Sequence, residues 1–174
     1  MKVTCTKFEA ASRQLDEAII MFFYDRDPLA VRTLAAAAHG IFADLVELMH
    51  PNGSWRSHLI GASGLSKKEA LEVINRAQNF LKHADRDPDA DLSFDEEENE
   101  YLIFTASLEC GELGGPSSTA MQAFQIWYLA MYPDKIGAES ELVITSRSAF
   151  PSLDKLTREE QLAAGLTFLT SAIA

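Results

Sequence analysis

The sequence predicts an all-α fold, a single domain over residues 1–174 built as a bundle of about six or seven helices around a central alanine-rich helix. Three observations carry that expectation. The runs Thr6-x-x-Glu9, Ser66-x-x-Glu69, Asp95-x-x-Glu98 and Thr157-x-x-Glu160 have capping-box form, with end side chains placed to satisfy free backbone N–H groups at a helix start. The apolar residues after each recur at three- and four-residue steps, the period of a helix buried along one face. Only Glu141 to Thr145 has strand-like content, and a lone strand has nothing to pair with.

The first helix follows Thr6, with Phe8, Ala11, Leu15, Ile19, Phe22 and Phe23 on its inner face. Asp25-Arg26-Asp27-Pro28 ends it and starts the second, with Asp27 as N-cap and Pro28 at the first helical position. The second helix, Pro28 to Met49, is apolar on most sides, and its run of alanines from Ala35 to Ala38 lets neighbours approach closely. It is the expected centre of the bundle, and Pro51-Asn52-Gly53 stops it.

A loop around Trp55 comes next. Ser66 opens a third helix to about His83, with Leu71, Ile74, Ala77 or Gln78, and Leu81 inward, widened by Val73 and Phe80. Asp95 caps a fourth with Tyr101, Phe104 and Leu108 inward, and Gly114-Gly115-Pro116 breaks it. A fifth runs from Ser118 to Met131 on Met121, Phe124 and Trp127. A long structureless loop over 134–156 is improbable in a compact domain, which favours a short helix ending before Pro151. Thr157 caps the last, with Leu162, Leu166, Leu169 and Ile173 on one side.

Composition sets the class. A chain of 174 residues, 47% hydrophobic and 24% charged, buries a sizeable core without staples. Cys5 and Cys110 make no disulfide framework. The longest apolar candidate, Leu29 to Ala43, is interrupted by Arg32 and His39, which argues against a membrane span. The opening run MKVTCTKFEAAS has no apolar h-region and reads as the lead-in to a helix rather than a signal peptide; a cytoplasmic location is expected. Of the net charge of −11, residues 85–100 carry −8, from nine acids against Arg86 alone. Such a patch repels nucleic acid and suits a cation or a basic partner.

Three runs, KFEAASRQLDEAI from residue 7, RTLAAAAHGI from 32 and NFLKHADRDPDA from 79, together resemble a family of small bacterial proteins carrying the run NF(F/L)KHADRDP. The resemblance covers roughly the first half of the chain. It implies a bacterial cytosolic origin, brings no established activity, and makes Asn79, Lys82, His83, Asp85 and Asp87 the first residues to interrogate.

Residues 85–96 have the length of a twelve-residue calcium loop, with Asp85, Asp87 and Asp89 at positions 1, 3 and 5. Asp91 falls at 7, Leu92 at the apolar position 8, Ser93 at 9 and Glu96 at 12. A hard cation, Ca2+ or Mg2+, needs several oxygens converging on one point, and this spacing offers them. Ala90 stands where the sharp turn calls for glycine, and Pro88 removes a backbone donor. The plainer reading is a solvated acidic linker whose Asp95 and Glu96 to Glu98 favour a helix start.

Arg76-x6-His83 is echoed by Arg32-x6-His39, a spacing that puts each pair on one helix face. It resembles the Arg/His motif of HEPN-type helical ribonucleases, which act at a dimer cleft. Thr33 partly fits the polar residue usual after that arginine; Ala77 does not. A surface arginine and a helix-end histidine are the commoner meaning. Glu47-x-x-His50 is half of a di-iron bundle site, and the second pair is missing.

The leading expectation is a non-enzymatic binding or interaction protein that engages a divalent cation or basic partner through residues 83–100. The competing one is a HEPN-like ribonuclease using Arg76 and His83 with Asn79 and Lys82 nearby, which leaves a homo-oligomer open. Neither nucleic acid as a generic partner nor a membrane is expected.

Overall fold

The computed structural model describes residues 2–83, 85–86 and 88–173, and every regular element among them is helical. Eight α-helices follow in order: α1 (Lys7–Phe23), α2 (Pro28–Met49), α3 (Trp55–Ser63), α4 (Lys67–Lys82), α5 (Glu97–Glu112), α6 (Thr119–Met131), α7 (Glu141–Ala149) and α8 (Arg158–Ile173). Two 3-10 turns, Pro133–Lys135 and Leu153–Lys155, flank α7.

The count exceeds the expected six or seven because the segment around Trp55 is helical. Ser54 caps it, its hydroxyl accepting from the Ser57 N–H at 3.0 Å. The strand-like Glu141 to Thr145 is the first half of α7, capped by Ser140, and it ends at Phe150 just before Pro151. The boxes at Thr6, Ser66 and Thr157 form as read, and Asp27 accepts from the N–H groups of Leu29 and Ala30. At α5 the box is loose: Asp95 accepts from Glu97 N–H at 3.1 Å, while Glu98 receives the Asp95 N–H at only 3.5 Å.

α2 packs most extensively on α1 and α5. It is the one described helix long and apolar enough to cross a membrane, and half of its most apolar window is buried in the bundle. α5 is as central as α2. It touches α1, α2 and α6, so Leu102, Ile103, Ala106 and Cys110 are buried together with Phe104, and the expected stripe of Tyr101, Phe104 and Leu108 is too narrow. Tyr101 stays partly exposed, and Ile173, also expected inward, is exposed at the end of α8.

The core centres on Phe22, Phe23, Phe124 and Trp127, packed edge-to-face and tilted at centroid distances of 5.3 to 5.8 Å. The Trp127 indole N–H donates to the Gln161 carbonyl at 2.9 Å, which seats α8 against α6. Gly165 lets α8 come down on Phe23: a Cβ there would lie 2.2 Å from the ring. Nearby, the buried Glu100 carboxylate takes the Arg158 guanidinium at 2.8 Å and the Tyr132 O–H at 2.9 Å, tying α5 to α8 and to the end of α6. Burial pushes the Glu100 pKa up, against the pull of Arg158 and Tyr132.

α3 and α4 are held differently. α3 buries no residue completely, and α4 buries only Ala70 and Ala77. This pair forms a lightly held flank over α2 and α5.

A candidate ligand cleft between the core and the α3–α4 flank

Two polar side chains stand on the buried side of α2. Arg32 and His39 are only 6% and 5% exposed. Their seven-residue spacing, nearly two turns, brings both to one face. Beside them α5 presents Glu97, Glu98, Tyr101, Leu102 and Thr105 as one stripe. α4 contributes Val73 and Ile74, α3 contributes Leu59, and Asp95 closes the end. These residues enclose a cleft of about 440 Å³, within the range of small-molecule sites.

The cleft has a buried floor and an acidic mouth. Arg32 Nη1 lies 3.4 Å from Glu98 Oε2, and its guanidinium carbon is 5.7 Å from the Phe94 ring centroid. Its Nε is buried and has no hydrogen-bond partner among the described residues, and the same holds for His39 Nε2. Burial depresses the Arg32 pKa, with Glu98 opposing and Arg76 adding to the effect. Burial also pushes His39 down to about 4, with Arg56 and Arg32 reinforcing it and Asp44 opposing, so its imidazole is neutral at pH 7. Asp95, Glu97 and Glu98 are exposed at the mouth.

Polar ties position the α3 wall. Glu47 accepts from the N–H groups of Asn52 at 2.7 Å and Ser54 at 3.2 Å, and from the hydroxyls of Ser54 and Ser57. Those bonds, the two hydroxyls first, hold its pKa at about 2. Glu109, fully buried on α5, receives the Arg56 N–H at 3.3 Å in the first turn of α3, where a carboxylate suits the helix dipole. Arg56 in turn reaches Asp44 on α2 at 2.7 Å. The Glu47-x-x-His50 pair thus serves a turn, with Glu47 as its hub.

The residues singled out from sequence lie mostly outside the cleft. Asp85, Asp89, Asp91 and Glu96 are exposed, and Asp87 lies outside the described residues. Among the described residues no three His, Cys, Asp or Glu side chains gather as a metal site. Arg76 donates to the Ser93 carbonyl at 2.8 Å and borders a groove with Arg32, Val73, Ala77 and Glu98; His83 is not among that groove's lining residues. His83 is the C-cap of α4, and Asn79 and Lys82 are exposed. The echo pair Arg32 and His39 is the one that shares a cleft. Its signal in the sequence was an arginine and a histidine interrupting the apolar face of the central helix.

Compared with protein-family models, with curated proteins and with solved structures, the chain matches none.

Proposed function

We propose that this chain is a non-enzymatic binding protein that takes a small amphipathic organic molecule in the cleft between α2, α5 and the α3–α4 flank. One observation carries the reading: two nearly buried polar side chains, Arg32 and His39, line the cleft from one face of α2. The largely apolar walls, Leu59, Val73, Ile74 and Leu102, supply the hydrophobic contact such sites use for affinity. The acids at the mouth belong to the segment 83–100, which the charge pattern marks for a cationic or basic partner.

A fragment screen by two-dimensional NMR tests the reading. Hits that shift the amides of Leu59, Ile74, Leu102 and Thr105 support it. Hits confined to other surfaces, or none from a library of small aromatic and aliphatic compounds, sink it.

A second reading has a specific observation behind it. Arg32 and His39 keep the HEPN-like spacing and share a cleft, which a ribonuclease pair requires. The carboxylates of Asp95, Glu97 and Glu98 rank it second, since they repel a phosphodiester at the entrance. Cleavage of RNA by the intact protein, abolished by His39→Ala with helicity retained, would promote it above binding.

A further inference from the structure

The turn between α2 and α3 holds a reactive peptide bond whose chemistry is independent of any ligand in the cleft. Of the asparagines in the chain, Asn75, Asn79 and Asn99 lie inside α4 and α5, before Arg76, Phe80 and Glu100. Asn52 alone precedes a glycine, and it is exposed. The Gly53 N–H donates to the His50 carbonyl at 2.8 Å, closing a turn with Pro51 second and Asn52 third at φ 63°, the form of a type II turn. Space fixes the glycine: a Cβ on residue 53 would lie 2.9 Å from both the Cβ and the carbonyl oxygen of His50. The turn thus builds in an Asn-Gly bond, the pairing in which no side chain shields the following nitrogen from the asparagine amide.

We propose that Asn52 is a deamidation site, restrained by Glu47 while α3 is seated and releasing α3 once it has reacted. The Gly53 nitrogen gives its proton to solvent and bonds to the Asn52 side-chain carbonyl carbon. The bond from that carbon to the amide nitrogen breaks, and ammonia leaves. Water then opens the five-membered imide at either carbonyl, giving aspartate or isoaspartate with no change of oxidation state. In the seated turn the reacting N–H is held against the His50 carbonyl. Glu47 pins the chain on both sides of it: Oε2 accepts from the Asn52 N–H at 2.7 Å, and Oε1 from the Ser54 N–H at 3.2 Å and from the Ser54 and Ser57 hydroxyls. Ring closure swings Gly53 onto the side chain, so these bonds must loosen first. The consequence falls on α3, which is capped by Ser54, buries no residue completely, and depends on this turn and on the ties of Arg56. Isoaspartate adds a main-chain carbon between Asn52 and Gly53, and either product sets a second carboxylate near Glu47. Both changes work against the contacts that seat the helix.

Peptide mapping by mass spectrometry tests this on the full chain, incubated at mildly alkaline pH either folded or in guanidinium chloride. In denaturant Asn52 should convert to aspartate and isoaspartate well before Asn75, Asn79 or Asn99. In the folded chain it should react roughly tenfold or more slowly, the scale of one hydrogen bond to a charged group. Glu47→Ala should bring the folded rate most of the way to that in denaturant while circular dichroism stays helical. Glu47→Gln, which keeps the size and loses the charge, should raise the rate in the same direction and serves if the alanine variant does not fold. The isoaspartate form, separated by chromatography, should lose amide exchange protection over Trp55–Ser63 and keep it in α1 and α6. If Asn52 reacts no sooner than the other asparagines in denaturant, the site is overturned. Equal rates in the folded and denatured chains, or Glu47 variants that fold and react no faster than the parent, overturn the restraint. Unchanged exchange in α3 overturns the release.

Discussion

Glu98 Oε2 stands 3.4 Å from Nη1 of Arg32, joining a half-exposed carboxylate to a guanidinium that is almost wholly buried. The pair is unequal. Glu98 keeps much of its water, while Arg32 has given up its own and still leaves Nε without a partner among the described residues. A buried ion pair with an unsatisfied donor gains less from attraction than its desolvation costs, so Arg32 adds little to stability.

Arg32→Met should therefore hold or raise the urea midpoint of unfolding, because an apolar chain of similar length fills the space without the charge. The same variant should lose cleft ligands. A fall in stability of more than about 2 kcal/mol would make Arg32 a structural strut and remove the argument for a site.

His39 sets a pH dependence whose sign can be worked out. Its folded pKa of about 4 lies below the ordinary 6.5, so between those values the unfolded chain binds a proton that the folded chain refuses. Its contribution is complete above about pH 6.5 and is lost as pH falls towards 4, by about 3 kcal/mol in all. Glu47, held at about 2, loses its share in the same direction as pH falls below 4.5. Glu100 and Glu109 oppose this, because burial raises their pKa values and the folded state takes up their protons first. Denaturant melts at about pH 7 and about pH 5 should show a drop that His39→Gln flattens, since glutamine does not titrate. A His39 ring proton titrating near 6.5 by NMR would refute the burial argument.

Much of the fold was readable because its signals are local. Thr6 and Glu9, Ser66 and Glu69, and Asp27 before Pro28 sit within a few residues of the helix starts they form. α3 escaped notice because two of its ties are distant: Glu47 lies one loop upstream, and Glu109 is 53 residues from Arg56. On α5, Phe104 and Leu108 do face the core, but the expected stripe is too narrow because a helix packed on several sides has no single stripe to follow. For the cleft, the Arg32 and His39 spacing was visible along the chain. That Val73, Ile74 and Glu98 would meet them was not, since those residues lie on other helices, dozens of positions further along the chain.

Gly165→Ala should destabilise the protein although alanine is the better helix former. The propensity gain is about 1 kcal/mol. Against it, the new Cβ would sit 2.2 to 2.8 Å from three atoms of the Phe23 ring, which is locked among Phe22, Phe124 and Trp127. Overpacking of that kind costs about 1–3 kcal/mol or more, so the net change should be unfavourable. Pairing it with Phe23→Leu should recover part of the loss. A Gly165→Ala variant melting above the parent would mean that α8 is not seated on Phe23.

The acidic loop makes a last and separate test. A calcium cage at residues 85–96 would draw Asp85, Asp87, Asp89 and Glu96 together, and a bound ion would relieve their repulsion. At a hundred times the dissociation constant such an ion adds about 2.7 kcal/mol of folding stability, worth several degrees in Tm. Two features oppose the cage. Ala90 stands at the position where positive φ is needed, and Pro88 stiffens the turn before it. Glu96, which would close the cage, is exposed at the N-cap position of α5 and makes no cap hydrogen bond there. The expected outcome is that millimolar calcium raises Tm no further than sodium chloride of equal ionic strength, as for a screened patch of like charge. A calcium-specific rise, stronger than that given by magnesium, enhanced by Ala90→Gly and weakened by Asp85→Asn, would instead establish the loop as a cation site.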